Sequence, residues 1–199
     1  MCRSDTVVSD LIEESIAVKS ALLADSAQLS LIERIAECIF DAFRRGNRVI
    51  FCGNGGSFSD SLHLAAEFVA RFQKDRGPLP GVALGTNSSI LTAVGNDYSF
   101  DDVFAREIAA LGKKGDVFLA ISTSGNSKNV LRAVEVAKAI GICVFGMTGQ
   151  SGGCLGQMVD CLRMPSEKTA RIQESHILVG HIICELTEDA WSRKEEPHS

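Results

Sequence analysis

Three groups of residues in this chain have types and spacings that can do chemistry. His63 and Glu67 stand four apart in His63-Leu64-Ala65-Ala66-Glu67. On a helix that spacing puts both side chains on one face, where they can share a metal ion or a substrate. Arg71 lies one further turn along the same face, as an anion anchor or a solvated helix end. The second group is two loops. Gly53-Asn54-Gly55-Gly56-Ser57 precedes a helix, and glycines there let the backbone approach an anion held at the helix N-terminus. The G-x-G-x-x-G dinucleotide pattern fails because Phe58 stands where its last glycine belongs, and no Gly-Lys-Ser/Thr completes a P-loop. Ser122-Thr123-Ser124-Gly125-Asn126-Ser127 brings four hydroxyls and a glycine to a second turn before a helix, a neutral cradle for phosphate. Asn126 and Ser127 are also ordinary helix caps. Two such loops on one sheet edge suggest a phosphorylated small molecule.

The third group lies near the C-terminus: Gln173, His176 and His181. Gln173 and His181 are eight residues apart, an axial rise of about 12 Å on a helix. One helix can hardly present both to the same ion unless their side chains converge, whereas packing between subunits can send one of them to a neighbour's site. His176 reads as a core histidine.

The elements that must position these groups follow from hydropathy. Two helical patterns fill residues 7 to 45, the first through Leu11, Ile12, Ile16 and Leu22, the second through Leu31, Ile35, Ile39, Phe40 and Phe43, ending near Gly46. Apolar runs follow at 49–52, 81–84, 117–121 and 143–147, with a weaker one at 161–164. They do not alternate in polarity, as expected of parallel strands covered on both faces. Helical periods of 10 to 15 residues separate them, and a long helix closes the chain over about 168 to 191. The expected fold is α/β: a three-layer αβα sandwich with a five-stranded parallel sheet, preceded by two N-terminal helices. It forms a single domain over residues 1–199, with N-terminal helices over 1–46, an α/β core over 47–192 and a polar tail over 193–199. Ligands of such folds bind beyond the carboxyl ends of the strands.

Composition sets the outer limits. The 199 residues carry 20 Lys and Arg against 25 Asp and Glu, a net charge of −5, which gives no basic footprint for nucleic acid. Aromatic residues are 6% of the chain, too few to suggest base-stacking platforms. No apolar run approaches a membrane span, and the first residues do not read as a secretory signal. The seven cysteines, Cys2, Cys38, Cys52, Cys143, Cys154, Cys161 and Cys184, include no C-x-x-C pair. They read as reduced, buried thiols of a cytoplasmic protein.

Taken together, Gly53 to Ser57, His63-x-x-x-Glu67, Asn96-Asp97-Tyr98, Ser122 to Ser127 and Ala170-Arg171-Ile172-Gln173-Glu174 occur in an order that resembles the sedoheptulose 7-phosphate isomerases, the phosphoheptose isomerases of the SIS (sugar isomerase) domain superfamily. The resemblance covers nearly the whole chain. It implies the SIS fold and conversion of sedoheptulose 7-phosphate to D-glycero-D-manno-heptose 7-phosphate through an enediol. It also implies a homotetramer that uses the N-terminal helices in assembly, with active sites at subunit interfaces. By the same resemblance Ser57, Ser122, Thr123, Ser124 and Ser127 bind phosphate and Asn54, Asn96 and Asp97 contact the sugar, with Gly55, Gly56, Glu67, Arg71 and Gln173 completing the expected substrate-binding set. His63, Glu67, Gln173 and His181 would ligate one zinc ion per subunit, and Glu67 and His181 would form the acid–base pair. Phe58, in place of a smaller or polar residue, and Thr169, in place of Asp, depart from the family pattern. The alternatives are a non-catalytic relative resembling the DnaA initiator-associating proteins, a sugar-phosphate sensor, and an isomerase of another ketose phosphate.

Overall fold

The computed structural model describes residues 3–195. Cys2, His198 and the end of the expected polar tail lie outside the described residues. Helix α1 (Arg3–Leu23) and helix α2 (Ser26–Arg44) are separated at Asp25, whose carboxylate accepts the N–H groups of Ala27 and Gln28 at 3.1 Å each and so starts α2. Five strands follow: β1 (Val49–Cys52), β2 (Gly81–Ala83), β3 (Val117–Ile121), β4 (Cys143–Thr148) and β5 (Asp160–Arg163). They form one parallel sheet in the order β2-β1-β3-β4-β5. The expected α/β fold with a five-stranded parallel sheet is therefore what the chain adopts.

Helices α3 (Gly56–Val69), α4 (Ser88–Asp97), α5 (Val103–Leu111), α6 (Lys128–Ile140), α7 (Leu155–Met158) and α8 (Thr169–Glu195) supply the outer layers. Strand β1 shows how the layers arise. Val49 and Phe51 pack with Ile35, Ile39, Leu64 and Phe68 from α2 and α3, while Ile50 and Cys52 pack with Val103, Phe104, Val130 and Val134 from α5 and α6. Both faces of β1 are dry, which is why its sequence does not alternate. Fully burying each such Phe or Ile side chain is worth about 1.5–3 kcal/mol.

Two expectations are corrected, and one helix is only partly covered. Helix α8 runs to Glu195, through the first part of the expected tail, because nothing breaks it before Pro197. The thiols are not uniformly buried: Cys52, Cys161 and Cys184 are, but Cys143 at the amino end of β4 and Cys154 in a loop are exposed. The apolar stripe of α1 is covered at its carboxyl end, where Val18 and Leu22 are buried, whereas Leu11, Ile12 and Ile16 are each half exposed or more. No described helix is long and apolar enough to cross a membrane.

Candidate active site

The sheet order places a topological switch at the carboxyl ends of β1 and β3. From β1 the chain crosses through α3 to one side, and from β2 it returns past β1 to β3 on the other. Helices leaving in opposite directions open a crevice there, and ligands of doubly wound sheets bind in such crevices. Gly53–Ser57 and Ser122–Ser127 are the loops leaving these two strands. They are tied together: Asn54 and Asn129, the latter near the start of α6, exchange side-chain amide hydrogen bonds of 2.9 Å in both directions. Within the second loop Ser122 Oγ lies 3.0 Å from Ser127 Oγ, and Ser124 Oγ accepts the Asn126 N–H at 3.1 Å. Asn126 is spent on the loop itself, its amide donating to the Ser124 carbonyl and its Oδ1 accepting from the Cys154 N–H. Ser57 and Ser122 are buried, while Thr123 and Ser124 line a cavity of about 290 Å³ with Gln150, Ser151 and Ser166.

Helices α3 and α8 carry the ionisable groups. They run parallel, with Gln173 against Gly56, Gly180 against Leu64, and Glu188 beside the segment that follows α3. Gly180 permits this close packing, since a Cβ there would sit 2.6 Å from a Leu64 methyl. The level of His181 on α8 therefore matches that of His63 on α3. Their Nε2 atoms are 3.1 Å apart, and His63 Nε2 is 2.9 Å from Glu67 Oε1. Three donor atoms, two imidazole nitrogens and a carboxylate oxygen, lie within 4.8 Å of one another in a half-open position. Adjacent ligands of a tetrahedral zinc ion with bonds near 2 Å are about 3.3 Å apart. Without a cation, the few protons available cannot bridge all these lone pairs, so the donor set fits a divalent metal.

Gln173 does not join the three. Its amide touches Gly56, a level about 12 Å along α8 from His181. The spacing argument thus separates these two residues within one chain, and the residue left over is Gln173, placed over the Gly53–Ser57 loop.

The chain matches the SIS domain over residues 12–149. It is 49% identical over 185 residues to a phosphoheptose isomerase of Aneurinibacillus thermoaerophilus, covering 92% of this chain and 93% of that one. It is 53% identical over 160 residues to a phosphoheptose isomerase of Rhodospirillum rubrum, with 80% and 85% covered. The structure of a phosphoheptose isomerase from Francisella tularensis superposes with a TM-score of 0.87 at 36% identity, over 95% of this chain and 100% of the other. The chain belongs to the phosphoheptose isomerase family of SIS-domain proteins. The resemblance read from the sequence is thereby upheld, and with it an aldose–ketose isomerase rather than a DnaA initiator-associating protein.

Other residues matched to the family pattern stand further out. Asn96 and Asp97 end α4 in an exposed position, the Asn96 amide donating to Asp97 Oδ1 at 2.8 Å. Arg71 is not on the helix face expected for it. Helix α3 stops at Val69 because the carbonyls of Glu67 and Phe68, which would accept from residues 71 and 72, are taken by the Arg76 guanidinium. His176 is fully buried, with Nε2 3.2 Å from the Thr148 carbonyl and Nδ1 without a partner, and burial depresses its pKa to about 4. It is a core histidine and carries no site chemistry.

Three residues near the site escaped the sequence reading. Asn129 pairs with Asn54, and nothing in its sequence context announces a partner 75 residues away. The Phe72 ring lies 5.5 Å from the His181 ring and walls one side of the cluster. Asp60, three residues before His63, has a buried Oδ2 without a partner; burial pushes its carboxyl up and His63 pulls it back. Asp60 alone had a legible signal, the Asp-x-x-His-x-x-x-Glu spacing. Phe58 is not merely a departure: with Leu91, Phe100 and Phe104 it lines an apolar cavity of about 190 Å³ beside Gly53–Gly55.

Proposed function

We propose that this chain interconverts sedoheptulose 7-phosphate and D-glycero-D-manno-heptose 7-phosphate, the entry step of nucleotide-activated heptose synthesis, with Glu67 and His181 moving the protons. The convergence of His63, Glu67 and His181 on α3 and α8, downstream of the loops at the switch point, carries this reading. Phosphate binds to Ser57, Ser122, Thr123, Ser124 and Ser127 with the amides of Gly55 and Gly56, using hydroxyls and the helix dipole rather than a basic side chain. From Ser57 to His63 is about 9 Å along α3, a reach that suits a long sugar chain anchored by its far phosphate. Asn54, Asn96, Asp97, Arg71 and Gln173 complete the binding set, with the exposed Asn96, Asp97 and Arg71 serving where subunits meet.

Isomerisation moves a proton between adjacent carbons through an enediol. In this reading one oxygen of the Glu67 carboxylate takes the proton beside the carbonyl and returns it to the neighbouring carbon. His181 transfers the proton between the two oxygens. His63 and Phe72 fix the His181 ring between them, and the Phe72 face keeps water from one side. His63, Glu67 and His181 would hold one zinc ion per subunit, with Gln173 as a further ligand only from another level or another subunit. When bound, zinc would polarise the substrate oxygens as a Lewis acid.

The stripe of Val7, Val8, Leu11, Ile12 and Ile16 on α1 and the row Leu178, Ile182 and Leu186 on α8 are exposed apolar surface. Burying them between copies would build the proposed homotetramer and close the site, since Ile182 adjoins His181. A cytoplasmic setting, in which the free thiols stay reduced, belongs to the same reading.

The decisive experiment incubates the purified protein with sedoheptulose 7-phosphate and follows the aldose product, beside a panel of shorter ketose phosphates, before and after metal stripping. Conversion of the heptulose well ahead of the shorter sugars, lost on stripping and restored by zinc, is expected. Ligand-induced stabilisation without conversion would instead mark a sensor, and full activity without metal would remove zinc from the chemistry.

A further inference from the structure

Glu188 and Arg76 form an ion pair with both side chains only 2% exposed, two turns of α8 beyond His181. Both carboxylate oxygens and all three guanidinium nitrogens are hydrogen-bonded. Glu188 Oε1 accepts the Phe72 N–H and Arg76 Nε–H at 2.9 Å each, and Oε2 accepts the N–H groups of Gln73 at 2.7 Å and Lys74 at 3.0 Å. Arg76 Nη2 donates to the Glu67 carbonyl at 3.0 Å, and Nη1 donates to the carbonyls of Phe68 at 2.8 Å and Gly77 at 3.0 Å. Burial alone would push the Glu188 carboxyl up, but the three backbone N–H groups and Arg76 hold it below the ordinary carboxylate range.

The pair therefore joins three things that the chemistry needs in one place. It grips α3 at the backbone of Glu67, whose side chain is in the cluster. It holds α8 on the face that carries His181, because seven residues are nearly two whole turns. And it hangs the segment that presses the Phe72 ring against the His181 ring. Gly180 against Leu64 already favours one register, and a buried ion pair with directed bonds adds a severe penalty to any misalignment. Buried ion pairs add little net stability, and their best-attested use is to fix register. A slide of one turn, about 5.4 Å, would part the two imidazoles now 3.1 Å apart.

We propose that Arg76 and Glu188 are positioning residues that set the register of α8 on α3, and so place His181 against His63 and Glu67. The proposal rests on the assignment of Glu67 and His181 made above, and adds two residues that touch neither substrate nor metal.

The test uses Arg76→Lys, which keeps the charge but loses the fork, and Glu188→Gln, which keeps the shape but loses the charge. Each full-length variant is checked for fold by circular dichroism and thermal melting. Then kcat and KM are measured, and Zn²⁺ affinity of the metal-stripped protein is read by competition with a chromophoric chelator. We expect kcat to fall about 10–100-fold with KM within about 3-fold, and zinc affinity to weaken about 10–100-fold. The double variant should be little worse than the worse single one, because the two residues act as a unit. Folded variants that melt earlier but keep kcat and zinc affinity would show a merely structural pair and overturn the proposal. So would a rise in KM alone, or failure of both variants to fold. If Glu67→Gln proved fully active, the chemical assignment would fall, while the register claim would still be judged by the zinc competition.

Discussion

The serine loop after β3 and the helix pair α3–α8 solve different problems with different materials. In the loop, hydroxyls and amides satisfy one another locally: Ser122 faces Ser127, Ser124 accepts from Asn126, and Asn126 reaches Cys154. The neutral loop is thus bonded within itself, and in our reading its hydroxyls and amides also receive the phosphate. In the helix pair, two imidazoles and a carboxylate converge on a shared space, joined through His63 Nε2, which is 3.1 Å from His181 Nε2 and 2.9 Å from Glu67 Oε1. In our reading the loop holds the non-reacting phosphate equally in ground and transition state, and so tunes KM. The ionisable groups of the helix pair are, in our reading, positioned for charge that develops during reaction, and so tune kcat.

Glu67→Gln presses this comparison hardest. A positioned general base contributes about 10²–10⁴-fold. The variant should lose that much kcat while binding substrate with a KM within about 3-fold of the parent, measured by steady-state kinetics with sedoheptulose 7-phosphate. A variant with near-normal turnover would take the base role away from Glu67 and make the cluster a metal site alone.

A sharper contrast lies within α8 itself, where His176 and His181 are five residues apart. His181 opens onto the site; His176 is sealed in the core, and desolvation lowers its pKa from 6.5 to about 4. The folded protein keeps His176 neutral while the unfolded chain takes up its proton below pH 6.5. Stability from this residue is therefore complete above about pH 6.5, is lost as pH falls from there to about 4, and changes no further below. The full span corresponds to about 3 kcal/mol, or about 2 kcal/mol between pH 6.5 and 5. Urea unfolding at pH 7 and pH 5 should show a His176→Gln variant losing about 2 kcal/mol less than the parent, since His63 and His181 contribute equally to both. An identical pH slope in the two proteins would show that His176 is protonated in the fold.

What the sequence disclosed and what it withheld divides along the same line. The strands were legible because a parallel strand buried on both faces writes its own signature, as Val49-Ile50-Phe51-Cys52 does. The loops were legible because Gly, Ser and Asn at a strand-to-helix turn act on their own neighbours. The pairing of His63 with His181 spans 118 positions, and that of Arg76 with Glu188 spans 112, so neither could be read from spacing. Arg71 was misplaced for the same reason: extending α3 by one turn was sound local reasoning, but Arg76 had claimed the carbonyls the helix needed. Gln173 and His181 mark the boundary. Their eight-residue separation correctly implied different levels on one helix, yet only the offset of α8 against α3 decides which level meets His63.

The smallest effect belongs to the loop, and it completes the comparison. Ser122→Ala removes one buried hydroxyl that faces Ser127 and, in our reading, donates to phosphate. A hydrogen bond to a charged group is worth about 1.5–3 kcal/mol, so loss of one among several should raise KM by about 10-fold. Because the other hydroxyls and amides remain, kcat should stay within about 3-fold. Competitive inhibition by inorganic phosphate should weaken in parallel, since it probes the loop without the sugar. If kcat fell while KM and phosphate inhibition stayed constant, the loop would be acting on the transition state, and the division between a binding loop and a reacting helix pair would have to be abandoned.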